Sequence, residues 1–172
     1  MTAELSSFII KYGDKNTKIY KKAIYISNKL ISILDNGDEY GDMGLEGYSL
    51  LIETLKENKI GKYNYEKLEK LLNINIKNRI EYDENKWIYY SPRPSNFIKN
   101  SNSPYYEDNK EILNKEMNYL LSTKPKNDVW PITWTWFDNM DKYEKEFKIS
   151  EKWWKAFKAI EKMILLKNFK II

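Results

Sequence analysis

The sequence predicts an all-α chain of antiparallel helical hairpins, and three observations lead there. Apolar residues recur with a period of about 3.6 along most of the chain, the signature of one-sided helices. Glycine- and asparagine-containing connectors punctuate that pattern. Strand-like alternation is confined to Thr133-Trp134-Thr135-Trp136, which is too short and too close to Pro131 to form a strand. With 172 residues, 42% hydrophobic and 15% aromatic, the expectation is one helical domain over residues 1–172.

Residues 3–11 carry Leu5, Phe8 and Ile9 as the inward stripe of a first helix, with Gly13 as its C-terminal cap. The stripe starts almost at Met1, so a relative is expected to continue upstream. Residues 16–34 form a second helix with Ile19/Tyr20, Ala23/Ile24, Ser27, Leu30/Ile31 and Leu34 inward and lysines outward, ended by Asn36-Gly37. A third helix uses Leu45, Tyr48, Leu51/Ile52 and Leu55. A fourth spans about 64–80, with Asn64 as N-cap and Tyr65, Leu68, Leu71/Leu72 and Ile76 inward. Residues 83–104 read as a long aromatic connector, because Pro92 and Pro94 oppose both helix and central strand. Ser103-Pro104 is expected to open a fifth helix, serine as N-cap and proline at the first helical position, with Tyr105, Ile112/Leu113, Met117 and Leu120/Leu121 inward. Ser150 is expected to cap the last helix, with Trp153/Trp154, Phe157, Ile160 and Ile164 inward and Ile171-Ile172 packed at its end. The pattern therefore reads as three hairpins of two helices each.

Composition removes whole classes of chemistry. There is no His, which excludes Ser-His-Asp catalysis and imidazole bases or ligands. There is no Cys either, so disulfides, thiolates and the usual zinc sites are also gone. Any catalysis must rest on Asp, Glu, Lys, Tyr, Arg or a hard metal held by carboxylates. Net charge is +4, but lysines alternate with acids and only Arg79 and Arg93 are arginines, so no nucleic-acid partner is expected. No apolar run is long enough for a membrane span and the N-terminus lacks a signal-peptide pattern, so the expected location is cytoplasmic.

Between Tyr119 and Trp154 lie Trp130, Trp134, Trp136, Trp153 and Trp154, so the connector before the last helix is expected to belong to the core. Tyr119-Leu120-Leu121-Ser122, then Asp128-Val129-Trp130 and Trp134-Thr135-Trp136, resembles the repeat motif of the squalene cyclase and prenyltransferase α/α-toroid superfamily. There a helix ending in Leu-Leu precedes a turn with Gln, Gly and Trp. Glu151-Lys152-Trp153-Trp154-Lys155, the closing Leu165-Leu166-Lys167-Asn168-Phe169 and Asp42-Met43-Gly44-Leu45-Glu46-Gly47-Tyr48 are similar to bacterial toroid-like proteins of this group that lack an assigned activity. The resemblance implies part of an α/α-toroid, truncated at its N-terminus, in which Trp130 ties a connector to a helix end. The motif glutamine is missing and Val129 replaces its glycine, so the resemblance implies an arc of hairpins and not a cyclase.

The candidate ligand-binding residues are Trp87, Tyr89, Tyr90, Arg93, Trp130, Trp134 and Trp136. Their rings are expected to line a concave face for a small apolar ligand, a sugar or a protein, or else to pack structurally. Pro92 and Pro94 stiffen the backbone around Arg93, which could hold an anion, cap helix carbonyls or form a structural ion pair. The acidic connector offers Asp38, Glu39 and Asp42 as catalytic candidates for a terpenoid- or carbohydrate-active enzyme. Magnesium enters only in that alternative, since it takes one or two carboxylates plus phosphate oxygens. The plainer reading is acids favoured by the dipole at a helix N-terminus. Glu46, Tyr48 and Glu53 could do acid–base work if buried together. The leading expectation is a non-catalytic binding module without a cofactor or metal site. A homo-oligomer follows if one end of the arc leaves apolar helix faces uncovered.

Overall fold

The computed structural model describes residues 2–37, 42–127, 129–136 and 141–172, with the backbone alone at residues 42 and 43. Among them the chain is all-helical, with seven α-helices and one short 3-10 helix. Two compact units divide it, Met1–Arg79 and Ile80–Ile172. No helix of the described residues is long and apolar enough to cross a membrane.

The first unit holds α1 (Thr2–Tyr12), α2 (Lys18–Asp35), α3 (Asp42–Glu57) and α4 (Tyr65–Arg79). Helix α1 packs on α2 and α3, and α4 packs on α2 and α3. Helix α2 starts where Thr17 Oγ1 accepts the Tyr20 amide at 3.3 Å, and its buried side is Tyr20, Ala23, Ser27, Ile31 and Leu34, close to the expected stripe. Ile19 is exposed, one position off that stripe. Helix α3 buries Leu45, Tyr48, Leu51, Ile52 and Leu55, as its spacing predicts. Full burial of such side chains is worth about 1.5–3 kcal/mol each. Asn64 Oδ1 accepts the Lys67 amide at 3.0 Å and so caps α4, whose Leu68, Leu72 and Ile76 are buried.

Helix α1 corrects the expected facing. Leu5 and Phe8 are each 62% exposed, and the helix buries Ala3, Ser6, Ser7 and Ile10 instead. Small residues let two backbones approach closely. A Cβ added at Gly47 of α3 would stand 3.2 Å from the Ala3 Cβ. The cost of burying Ser7 is offset by its hydroxyl, which donates to the Ala3 carbonyl at 2.8 Å.

The second unit holds the 3-10 helix Glu84–Ile88, α5 (Pro94–Phe97), α6 (Tyr106–Ser122) and α7 (Glu144–Asn168). The 83–104 connector is thus partly helical, with Trp87 and Phe97 buried. Helix α6 begins after the expected Ser103-Pro104 start: those residues form a preceding turn, closed by the Tyr106 amide on the Ser103 carbonyl at 3.0 Å. Its buried side includes Ile112, Leu113, Met117 and Leu120, while Leu121 is exposed.

Helix α7 departs furthest from expectation. It starts at Glu144, so Ser150 is interior and caps nothing. Trp153, Phe157, Ile160 and Ile164 are 76, 51, 60 and 53% exposed rather than inward, and Trp154, Ile171 and Ile172 are exposed too. The side turned to the protein runs through Phe147, Glu151, Lys155, Lys158, Lys162, Leu165 and Leu166. Periodicity sees both stripes, and the apolar one is not the one that packs. Ring contacts hold α7 to the rest of its unit. Trp134 meets Trp154 edge-on at 5.3 Å, Trp136 meets Phe147 at 5.3 Å, and Tyr106 stacks on Phe169 at 5.7 Å.

Candidate functional site

Three candidates of the second unit, Trp87, Arg93 and Trp130, lie beside Tyr119 or Lys162. Trp87 is fully buried, its indole N–H donates to the Glu81 carbonyl at 2.8 Å, and its ring meets Tyr119 edge-on at 5.3 Å. Arg93 reaches over the same Tyr119 ring, 5.4 Å from its centroid, and donates through Nη2 to the Trp87 carbonyl. Its backbone is set by Asn96, whose Oδ1 accepts the Arg93 amide at 2.7 Å. Of the roles weighed for Arg93, capping a helix carbonyl is the one these contacts describe.

Glu116 lies fully buried on the packed side of α6. Its two oxygens accept from the Ser95 amide at 2.8 Å and the Ser95 hydroxyl at 2.6 Å. Burial pushes its carboxyl above the usual range, while the Ser95 bonds and the charges of Arg93 and Lys99 pull the other way. Burial likewise lowers the Arg93 pKa, partly offset by Glu116. One carboxylate thus holds the first turn of α5 against α6.

Trp130 is buried, and its indole N–H donates to the Leu120 carbonyl at 3.1 Å, tying the connector to the end of α6. Lys162 of α7 places its ammonium 5.1 Å from the Trp130 ring centroid. Burial first, then the charges of Arg93 and Lys158, bring its pKa down to about 8, against the opposing pull of Glu116 and Glu161. Lys158 itself pairs with Glu161 at 2.6 Å.

The other candidates lie elsewhere. Tyr89 and Tyr90 are exposed, whereas Trp134 and Trp136 are half-buried against α7. The seven ligand-binding candidates therefore do not line one aromatic face: Trp87 and Arg93 meet at Tyr119, and Trp130 faces Lys162. Asp38, Glu39 and the side chain of Asp42 lie outside the described residues. Tyr48 is buried but Glu46 and Glu53 are exposed, so these three do not form a buried acid–base group.

Glu116 and Lys162 were missed by reading the sequence for motifs. Each had a signal. Glu116 stands on the stripe Asn109, Ile112, Leu113, Glu116, Met117, Leu120, a charge on the buried side of a helix. Lys162 lies on the same side of α7 as Leu165 and Leu166. The chain matches no known family model, curated protein or solved structure.

Proposed function

We propose that this chain is a protein-binding module that docks an amphipathic helix of a partner along the exposed side of α7. The observation that carries the reading is the reversed facing of that helix. Its polar side turns inward, while Ile149, Trp153, Phe157, Ile160 and Ile164 stand in solvent at helical spacing. Contiguous exposed apolar surface of this kind marks an interaction site. Exposed Trp and Phe are the side chains from which binding hot spots are built.

The spacing also says what shape the partner has. Trp153, Phe157, Ile160 and Ile164 repeat by four, three and four residues, the seam that another helix fills by knobs-into-holes packing. Exposed Lys145, Lys152 and Lys167 border one edge of the seam and exposed Glu161 the other, so an acidic flank along the lysine edge suits the partner helix. The link from Trp130 to the end of α6 agrees with the connector-to-helix-end tie that the toroid resemblance implies.

The test is binding of a designed helical peptide with a leucine seam and a glutamate flank, followed by tryptophan fluorescence. Saturable binding that is lost in Trp153→Ser and Phe157→Ser, and weakened by a lysine flank on the peptide, supports the reading. Binding to anionic vesicles alone would overturn it in favour of a membrane surface. Concentration-dependent dimerisation through the same residues, without peptide binding, would overturn it in favour of a second copy.

A further inference from the structure

The mixing of lysines with acids breaks at α2. Between Asp14 and Asp35 stand five lysines and no acid. The buried stripe of the helix is Tyr20, Ala23, Ser27, Ile31 and Leu34. Opposite it lie Lys18, Lys22, Tyr25 and Lys29, spaced by four, three and four residues and all exposed. Lys21 borders this ridge on one side, and exposed Ile19 and Ile33 border it on the other. We propose that the exposed face of α2 binds the surface of a bilayer that carries anionic phospholipids.

Charge complementarity carries this assignment. Two lysines bring their ammonium groups to one ring: Lys22 Nζ is 5.4 Å and Lys29 Nζ 4.7 Å from the Tyr25 centroid. Two cations and an aromatic ring therefore share one exposed spot in the middle of the helix. Among the described residues, Lys18, Lys21, Lys22 and Lys29 form no ion pair. Acids of the same unit are matched elsewhere, Asp35 by Lys67, Glu57 by Lys11, Glu66 by Lys70 and Glu69 by Lys56. The ridge thus presents uncompensated positive charge along a helix of 18 residues, a length of about 27 Å. A convex ridge of this kind meets an extended anionic surface along its whole length. Anionic leaflets attract such clusters of about four to eight basic residues on an amphipathic helix. The neighbouring side chains suit the same interface. Lysine stems lie along it while their ammonium groups reach the headgroups, and tyrosine sits at headgroup level. Lysine in place of arginine argues against nucleic acid, where bidentate guanidinium contacts to phosphates and bases predominate. This site lies within the first unit and does not use α7, so it does not depend on the helix-docking reading.

The experiment is flotation of the full chain with vesicles of phosphatidylcholine alone, and of phosphatidylcholine and phosphatidylserine in equal parts. The chain should float with the mixed vesicles and not with phosphatidylcholine alone. Lys18→Gln, Lys22→Gln and Lys29→Gln should each weaken partitioning about fivefold. Salt at about 1 M, which screens charge beyond about 3 Å, should abolish it. Lys110→Gln and Lys115→Gln on α6 should leave it unchanged. All five side chains are exposed, so an unchanged melt accompanies each substitution. Equal weakening by the α6 substitutions would overturn the proposal, because net charge and not the α2 ridge would then set the binding. Flotation lost in Trp153→Ser and kept in the α2 variants would overturn it in favour of α7. Absence of flotation with the mixed vesicles would overturn it outright. Binding of a DNA duplex in that case, weakened by the α2 substitutions, would reassign the ridge to nucleic acid. Peptide binding at α7 is scored by its own substitutions, so each reading can fail without the other.

Discussion

Glu116 shows what one buried carboxylate costs and supplies. It stabilises the α5–α6 contact only because Ser95 offers it both an amide and a hydroxyl. Glu116→Ala would leave both half-buried donors unpaired, and should cost about 3 kcal/mol in chemical denaturation. Glu116→Gln can still accept from Ser95 and no longer buries a charge, so about 1 kcal/mol is expected. An equal cost for both would refute the assigned hydrogen bonds. Lys162 makes a prediction of opposite character. Its folded pKa is depressed, so between about 8 and the ordinary lysine value of 10.5 the unfolded chain binds the extra proton. Stability from this group therefore rises with pH across that window and is lower below it. After solvent screening of its exposed part, the effect is on the order of 1 kcal/mol. The difference in melting between wild type and Lys162→Met, followed across the window, isolates it from other lysines and tyrosines.

At the scale of elements, α7 separates packing from periodicity. Its helix extends for 25 residues, yet its contacts use the polar side in the middle and Phe147, Leu165 and Leu166 at the ends. Trp153→Gln and Ile160→Gln should leave stability within about 0.5 kcal/mol, because both side chains are already in water. Leu166→Ala should cost about 2–5 kcal/mol, because that side chain is buried. Thermal unfolding of the three variants checks the facing directly: the reverse order of costs would mean that the apolar seam packs inward. The turn before α4 depends on Gly61, which has φ +77° and the Tyr63 ring 2.3 Å from where a Cβ would sit. Gly61→Ala is expected to destabilise by more than 1 kcal/mol in the same assay.

For the whole molecule, the division into two units has its own consequence. The first unit contains Leu34, Leu51, Leu55, Leu72 and Ile76, all fully buried. Residues 1–79 alone are therefore expected to give a helical far-UV spectrum and a cooperative melt. A non-cooperative melt would show that this unit's core is incomplete. The second unit builds its centre differently, from Trp87, Trp130, Tyr105 and Ile98 set on connectors and held by indole hydrogen bonds to backbone carbonyls.

Sequence alone determined the helical class, the facing of α2, α3 and α4, the Asn64 cap and the importance of the tryptophan-rich connector. These rest on local physics: a 3.6-residue repeat, a side-chain cap and a large ring that must be buried. Only the tertiary structure decided which stripe of α1 and α7 faces the protein. On α1, close backbone approach favours Ala3, Ser6 and Ser7 over Leu5 and Phe8. On α7, Phe147, Leu165 and Leu166 pack at the two ends and carry the lysine side between them inward. Tertiary structure likewise brought Arg93 to the Tyr119 ring and Lys162 to the Trp130 ring from separate segments. Helical periodicity specifies that a side is distinct; the neighbours available to it decide whether it is covered.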